Sequence, residues 1–270
     1  MRRADPATSA AATPSEHGDD RTIPVVATRP VFVNLLLLQD EDFALDGSVR
    51  LTGRRLEHLR SVLRLRAGDS VRVGRLHGAL GSARVLAVSP DEALLAAPAL
   101  TDPPPPRAGV DLLLAIPRPK ALRRVLPAAA SLGVDRVVLV NAARVEKSYF
   151  DARLLAPERI EELLRLGLEQ ARDTVPPQVL VRARFRPFVE DELDALLPAG
   201  TLRLVPHPDA SEPLPARERG QRVALAIGPD GGWVPFEIAL LRARGFRPVS
   251  LAARTLRVEV AVPALIGALR

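Results

Sequence analysis

Three glycines and an aspartate lie together near the C-terminus, in the segment 228–232, whose sequence is GPDGG. The apolar run before it, 223–227, is typical of a buried strand in a parallel sheet. The segment after it, 235–244, starts with proline and precedes a glycine, which predicts a helix. Ligands of open α/β sheets bind at such a junction between a strand end and a helix start. The glycine segment therefore predicts a binding loop, with plain turn chemistry as the alternative.

Charge and composition narrow the classes of function. The chain has 270 residues and a formal net charge of +6, which favours a polyanionic partner such as nucleic acid. A generally arginine-rich surface is the alternative. The absence of cysteine excludes a disulfide framework, a thiolate metal site and a cysteine nucleophile. The apolar runs are shorter than the ~20 residues that a membrane helix needs, so we expect no membrane partner. We also expect no bound metal.

The first hundred residues predict a tail and a small domain. Residues 1–30 have no apolar period and are predicted to form a flexible tail. From 31 to 100 the sequence predicts short strands, turns and one helix over 53–65, with Leu56, Leu59, Val62 and Leu63 on its apolar face. Such a pattern is typical of a small β-barrel. The many arginines of this segment fit contact with phosphate groups, and a solvated outer face is the alternative.

A proline-rich segment, 101–107, separates this domain from the rest of the chain. After it, apolar strands alternate with helices through 108–270. One of these helices contains Pro127, which is expected to kink or restart it. The alternation predicts a parallel sheet with helices on both faces.

The C-terminal motifs resemble those of the ribosomal RNA small-subunit methyltransferase E family, which belongs to the SPOUT superfamily. The resemblance covers about 31–270 and rests most on the glycine segment. The other matching segments are 118–120 (RPK), 132–134 (LGV), 170–172 (QAR), 248–251 (PVSL) and 254–261 (RTLRVEVA), with weaker support from 58–64 (HLRSVLR) in the barrel.

The resemblance implies a fold and a cofactor. The fold is α/β, with a PUA-like RNA-binding β-barrel followed by a SPOUT domain whose mostly parallel sheet ends in a trefoil knot. S-adenosylmethionine would be held by three loops at the knot, and the family is homodimeric and cytoplasmic. The residues implied to hold the cofactor are Leu204, Val205, Ile227, Gly228, Pro229, Gly231, Gly232, Leu251, Leu256 and Val258.

The implied activity is methylation of uridine N3 in 16S ribosomal RNA of the small subunit. Because N3 must lose its proton, we predict that Arg257 supplies positive charge near the target base or its phosphate. Glu259 is predicted to orient Arg257 or to help remove the proton, with a simple charge in the first turn of a helix as the alternative. The residues predicted to contact RNA are Arg54, His58, Arg60, Arg64, Arg118, Lys120 and Arg172.

The chain departs from the family pattern at several positions. Val258 and Val260 stand where the family usually has threonine, and Leu126 and Pro127 stand where it usually has glutamine and lysine. These departures remove two hydroxyl groups and one charge. Two alternatives therefore stay open, namely a SPOUT methyltransferase with another RNA target and a catalytically silent RNA-binding or ribosome-assembly protein.

Overall fold

Two sheets organise the residues that the structure, a computed structural model, describes, which are 34–150, 153–252 and 254–269. The tail predicted for 1–30 lies outside these residues. The first sheet belongs to the N-terminal part of the chain and the second to the C-terminal part. The α/β fold class predicted from the sequence is thus confirmed.

Short strands form the N-terminal sheet around an apolar core that includes Leu51, Val73 and Val85. The strands are β1 (Leu36–Leu38), β2 (Val49–Leu51), β3 (Ser70–Arg75), β4 (Leu80–Val88), β5 (Ala93–Leu95) and β6 (Ala99–Asp102). They pair in the order β1-β3-β4-β5-β2, and β6 pairs with β4. The pairing of β1 with β3 is parallel and the others are antiparallel.

The helix of this domain differs from its prediction. Helix α1 spans Gly53–Glu57 and continues as a π-helical turn over His58–Val62. A π turn holds more residues than an α turn, so the apolar face rotates along the helix. Leu56 and Leu59 are buried as predicted, whereas Val62 is 63% exposed.

The proline-rich connection starts later than predicted. Strand β6 ends at Asp102, so the connection between the domains covers 103–107. Its last residue, Arg107, donates a hydrogen bond to the carbonyl oxygen of Val134 and pairs with Asp173 at 3.4 Å. The connection is therefore anchored on the C-terminal domain.

The C-terminal sheet is entirely parallel, as predicted. Its strands are β7 (Val110–Ala115), β8 (Arg136–Val140), β9 (Gln178–Arg182), β10 (Leu202–Pro206), β11 (Val223–Ile227) and β12 (Arg247–Val249). Their order is β12-β10-β11-β7-β8-β9. Every residue of the two central strands, β7 and β11, is buried, because helices cover both faces.

The helices of this domain divide between the two faces of the sheet. Their bounds are α2 (Pro119–Ser131), α3 (Lys147–Phe150), α4 (Pro157–Ala171), α5 (Phe185–Pro187), α6 (Leu193–Leu196), α7 (Pro235–Ala243) and α8 (Val258–Ala268). A π-helical turn, Phe188–Glu192, joins α5 to α6. Apolar side chains of α2, α4 and α8 pack on one face, and those of α5, α6 and α7 pack on the other.

The helix α8 lies against the connection between β10 and β11. Leu214 N–H donates to Ser250 O at 3.1 Å, and the Arg217 side chain donates to Leu269 O at 3.3 Å. The connection 207–222 thus contacts both the segment that leads into α8 and the end of α8. These contacts are those expected if the C-terminal segment with α8 is threaded through the loop 207–222. The trefoil knot itself stays a prediction.

The N-terminal domain is fixed against the end of α4. Leu35 N–H donates to Glu169 O at 2.9 Å, and His77 N–H donates to Thr174 O at 2.8 Å. The hydroxyl of Thr174, which is fully buried, donates to Gly78 O. Backbone hydrogen bonds of this kind hold the two domains in one orientation.

Helix α2 runs through Pro127 without the predicted restart. It packs closely against α4 at this level, since a Cβ built on Gly167 would lie 2.2 Å from Pro127 O. Ser131 Oγ also donates to Gly167 O at 2.8 Å. Glycine at this position allows the two helices to approach.

We expect Gly167→Ala to destabilise the protein, although alanine favours a helix over glycine by about 1 kcal/mol. The added methyl group would overlap the Pro127 carbonyl, and overpacking of this kind costs about 1–3 kcal/mol. Gly267→Ala in α8 is the matched control, because a Cβ there meets no atom within 4 Å. Denaturant unfolding gives the free energy of unfolding of both variants. If Gly167→Ala were as stable as Gly267→Ala, the close approach of the helices would be contradicted.

Candidate cofactor and RNA site

A cavity of about 500 Å³ lies at the carboxyl end of the parallel sheet. It lies where β10, β11 and β12 end, and its walls are mainly the segments 206–208, 227–230, 232–233 and 250–258 without the undescribed residue 253. Pockets that bind small ligands have volumes of about 300–1,000 Å³. The cavity therefore has the size and the position of a ligand site in an open α/β sheet.

The glycine segment forms a tight turn in the cavity wall. Gly232 N–H donates to Pro229 O at 2.7 Å, and the φ of Gly232 is +73°. Residues other than glycine rarely adopt this backbone conformation. A Cβ on Gly228 would lie 3.1 Å from the backbone nitrogen of Trp233. Two of the three glycines are thus needed for physical reasons, one for conformation and one for close approach.

A buried carboxylate anchors the far end of this turn. Glu237, which is 3% exposed, accepts hydrogen bonds from Val234 N–H at 2.9 Å and from Ala143 N–H at 2.8 Å. Trp233 is buried beside it and contacts the ring of Phe185 at 5.1 Å between centroids. The glycine loop is therefore tied to the start of α7 and to the loop after β8.

Most of the residues predicted to hold a cofactor line the cavity. Leu204 and Val205 do not, because both are fully buried in the sheet and the cavity wall begins at Pro206. Gly231 is not among the lining residues either, and a Cβ there would point at Arg144, at 3.2 Å. Those that line it are Ile227, Gly228, Pro229, Gly232, Leu251, Leu256 and Val258.

Four charged side chains meet beside the cavity. Arg118 Nε lies 4.0 Å from Asp230 Oδ2, and Arg118 Nη2 lies 3.5 Å from Glu259 Oε1. Arg124 Nη1 lies 3.8 Å from the same oxygen of Glu259. Arg118, predicted only to contact RNA, thus also lies at the cavity. Its position just after the central strand β7 was the available signal, because parallel strands end at one edge of the sheet.

Glu259 holds a different arginine from the one predicted. Its ion pairs are with Arg118 and Arg124, not with Arg257. A hydrogen bond from its own backbone N–H, together with the charges of Arg118, Arg124 and Arg257, holds the pKa of Glu259 below its usual value in spite of burial. A carboxylate with a lowered pKa is a weaker proton acceptor. The geometry therefore favours an orienting role over that of a base.

Arg257 directly precedes α8 and lines the cavity with an exposed side chain. Within the described part of the chain, it forms no ion pair. A free guanidinium in this position can reach a polyanion at the mouth of the cavity.

The other residues predicted to contact RNA lie in separate places. Lys120 is exposed in the first turn of α2, and Arg172 is exposed at the end of α4. Arg54 is partly engaged, since it pairs with Glu169 at 3.6 Å. Arg60 and Arg64 are exposed and flank a shallow cleft of the N-terminal domain. His58, also of this domain, is half-buried in the π-helical turn.

Residues 34–150, 153–252 and 254–269 contain no group of three or more His, Cys, Asp or Glu side chains placed to hold a metal ion. No helix in these same ranges is long and apolar enough to cross a membrane.

Two family models match the chain. An RNA methyltransferase domain matches residues 104–270, and an RNA methyltransferase PUA domain matches residues 51–96. The ribosomal RNA small subunit methyltransferase E of Treponema pallidum is 32% identical over 235 residues, which cover 85% of this chain and 87% of that protein. The protein of the same name from Synechocystis is 29% identical over 228 residues, which cover 80% and 71%.

Solved structures share the fold of the whole described chain. The ribosomal RNA small subunit methyltransferase E of Neisseria gonorrhoeae, bound to S-adenosylmethionine, has a TM-score of 0.69 and 23% identity, covering 87% of this chain and 96% of that one. A methyltransferase of Legionella pneumophila, in complex with the same cofactor, has a TM-score of 0.69 and 22% identity, with the same coverage. Together with the sequence relatives and the domain matches, this fold shows that the chain belongs to the ribosomal RNA small subunit methyltransferase E family of RNA methyltransferases.

Proposed function

We propose that this protein uses S-adenosylmethionine to methylate N3 of a uridine in the 16S RNA of the small ribosomal subunit. The observation that carries the proposal is the cavity, because its walls are the three loops expected to hold the cofactor. Membership of the family supports the RNA substrate, and the solved structures of the same fold that hold S-adenosylmethionine support the cofactor.

The cavity suits this cofactor in its chemistry. Leu251, Leu256 and Leu265 offer apolar surface for the adenine ring, and the turn at Gly228 and Gly232 lets the ligand approach the backbone. When bound, S-adenosylmethionine supplies a methyl group that its positively charged sulfur has already activated. The main task of the chain is then to hold the acceptor nitrogen in line at about 3–3.5 Å.

The acceptor nitrogen carries a proton that must leave. Positive charge at the cavity, from Arg118, Arg254 and Arg257, favours the anionic form of the base. Arg257 contacts the target nucleotide or its phosphate. Glu259 keeps Arg118 and Arg124 in place, and the proton passes to water.

The N-terminal domain contributes to RNA affinity. Arg60 and Arg64 present charge that no described carboxylate neutralises, and the domain is fixed relative to the cavity through Thr174. Phosphate contact from these arginines and from Lys120 positions the RNA without reading its sequence.

The protein works in the cytoplasm as a homodimer. Large apolar side chains available for the contact are Phe236 of α7 (54% exposed), which lies 5.9 Å from the Arg186 guanidinium, and Val260 of α8 (49% exposed). The two helices cover opposite faces of the sheet, so either one can supply the contact. Light scattering on the purified protein measures its mass, and the mass of a single chain at micromolar concentration would refute the dimer.

The decisive experiment compares ribosomal RNA from cells with and without the gene. Mass mapping of nucleosides is expected to show N3-methyluridine in 16S RNA of the parent and not of the deletion strain. If the modification persisted, the assignment of the target would be wrong. Calorimetry with S-adenosylmethionine separates an active enzyme from a silent RNA-binding protein, which need not bind it.

We expect Gly228→Ala to lower the affinity for S-adenosylmethionine at least tenfold, or about 1.4 kcal/mol. The added Cβ would press on the backbone and indole of Trp233, which lies in the cavity wall. Gly231→Ala is the matched control in the same loop, because its Cβ points to the flexible side chain of Arg144. Calorimetry measures both, and unchanged affinity of Gly228→Ala would show that the cofactor lies elsewhere.

The double variant Arg60→Ala with Arg64→Ala is expected to weaken binding to small-subunit RNA and to reduce its dependence on salt. Each lost phosphate contact lowers the slope of log K against log salt concentration by about 0.7–0.9. Arg75→Ala is the control, since Arg75 is already paired with Asp40 at 2.9 Å. Filter binding at several salt concentrations gives the slopes. An equal effect of both changes would contradict a specific role for the cleft.

A further inference from the structure

The position of Arg118 sets it apart from the rest of the cavity. Among the described residues that line the cavity, Arg118 alone comes from outside the three loops and α8. It precedes α2, in the loop that follows β7, the strand paired with β11. The cavity therefore has one basic side chain that the C-terminal motifs do not supply.

Two walls of the cavity hold this arginine in place. Asp230 belongs to the glycine turn, and Glu259 belongs to the first turn of α8. The Glu259 side chain is 8% exposed, and its Oε2 has no hydrogen-bond partner. Arg118 is thus held by ion pairs from two elements, whereas Arg257 has an exposed side chain without an ion pair among the described residues.

The guanidinium of Arg118 retains unused hydrogen-bonding capacity. Its Nε is shielded from solvent and has no hydrogen-bond partner, while 37% of the side chain as a whole is exposed. Buried donors in proteins are almost always paired, so an acceptor on a ligand is the expected partner.

The charges around Arg118 leave a net positive site. Arg118, Arg124, Arg254 and Arg257 outnumber the carboxylates of Asp230, Glu259 and Glu146. The nearby hydroxyl of Tyr149 remains neutral, because burial and Glu146 raise the pKa of Tyr149. A bound anion would therefore be stabilised here.

We propose that Arg118 donates a hydrogen bond to a ring carbonyl oxygen beside uridine N3 and stabilises the negative charge that this oxygen bears after N3 has lost its proton. This inference rests on the proposed function and names the group that makes the base reactive. The N3 proton passes to water, N3 forms the bond to the methyl carbon, and the electrons of the broken carbon–sulfur bond stay on sulfur. A fixed donor is more effective than a mobile one, because it needs no reorganisation as the charge develops.

The test compares Arg118→Ala with the wild-type protein on two substrates. Small subunits are isolated from cells that lack the gene, grown with or without 5-fluorouracil, and single-turnover methyl transfer is measured. Arg118→Ala is expected to be slower by about 100-fold on ordinary subunits. On fluorinated subunits the ratio of the wild-type rate to the Arg118→Ala rate should be at least about tenfold smaller, because fluorine already makes N3 more acidic. The loss should also shrink as the pH rises.

Controls separate this role from a structural one. Arg159→Ala removes an arginine that is also paired with a carboxylate, Glu162, but lies on α4 away from the cavity, and it should leave the rates unchanged. Transfer rates are measured at saturating S-adenosylmethionine, with the affinity of Arg118→Ala for it determined by calorimetry, because Arg118 also lines the cofactor cavity. If Arg118→Ala does not fold, Arg118→Gln replaces it and should show the same rescue.

An equal loss on both substrates, or a loss that does not change with pH, would overturn the inference and leave Arg118 as a positioning residue. A wild-type protein that binds no S-adenosylmethionine, or transfers no methyl group to small subunits, would instead overturn the proposed function. The two failures are therefore distinguishable.

Discussion

The burial of β11 on both faces, between β10 and β7, is the constraint on which the site depends. Inside such a strand the backbone N–H and C=O groups form the hydrogen bonds of the sheet, and the side chains pack in the two cores. No group is then available to bind a ligand. Both become available only where the strand ends. Gly228 follows Ile227 directly, and its close approach to Trp233 turns the chain along the sheet edge. Because β10 and β12 end at the same edge, their loops complete the cavity.

Charge is organised by the same geometry. Glu259 lies in the first turn of α8, where the helix dipole and its own backbone N–H favour the ionised form. It can therefore hold Arg118 and Arg124 without competing for a proton. Together with Asp230 it ties the first helix of the domain to two segments near the C-terminus. The cavity thus has both the glycine turn and the side chains of Arg118 and Arg257 in its walls. Positive charge of this kind suits the proposed methyl acceptor, which must become anionic.

The contact between the domains connects this cavity to the basic N-terminal domain. Gly74 leaves no room for a side chain, because a Cβ there would lie 2.5 Å from Thr174 Cγ2. Thr174 and Glu169 both lie at the end of α4, and burial raises the pKa of Glu169 although Arg54 opposes the effect. The Glu169 side chain is therefore partly desolvated at the contact between the domains, which is also held by backbone hydrogen bonds. The arginines of the N-terminal domain therefore have a defined position relative to the cavity.

The sequence by itself determined the parallel sheet, the two domains, the glycine loop and the family, since each depends on local periodicity or on short motifs of adjacent residues. It did not determine the exposure of Val62, because a π turn shifts a helix face without any signal in the apolar pattern. Nor did it determine that Leu204 and Val205 are buried in the sheet or that Gly231 faces Arg144, so that none of the three lines the cavity. Only the tertiary structure decided that Arg118 and Glu259 meet. They are far apart in the chain, and parallel strands that end at one sheet edge bring together side chains whose spacing in sequence carries no information about their contact.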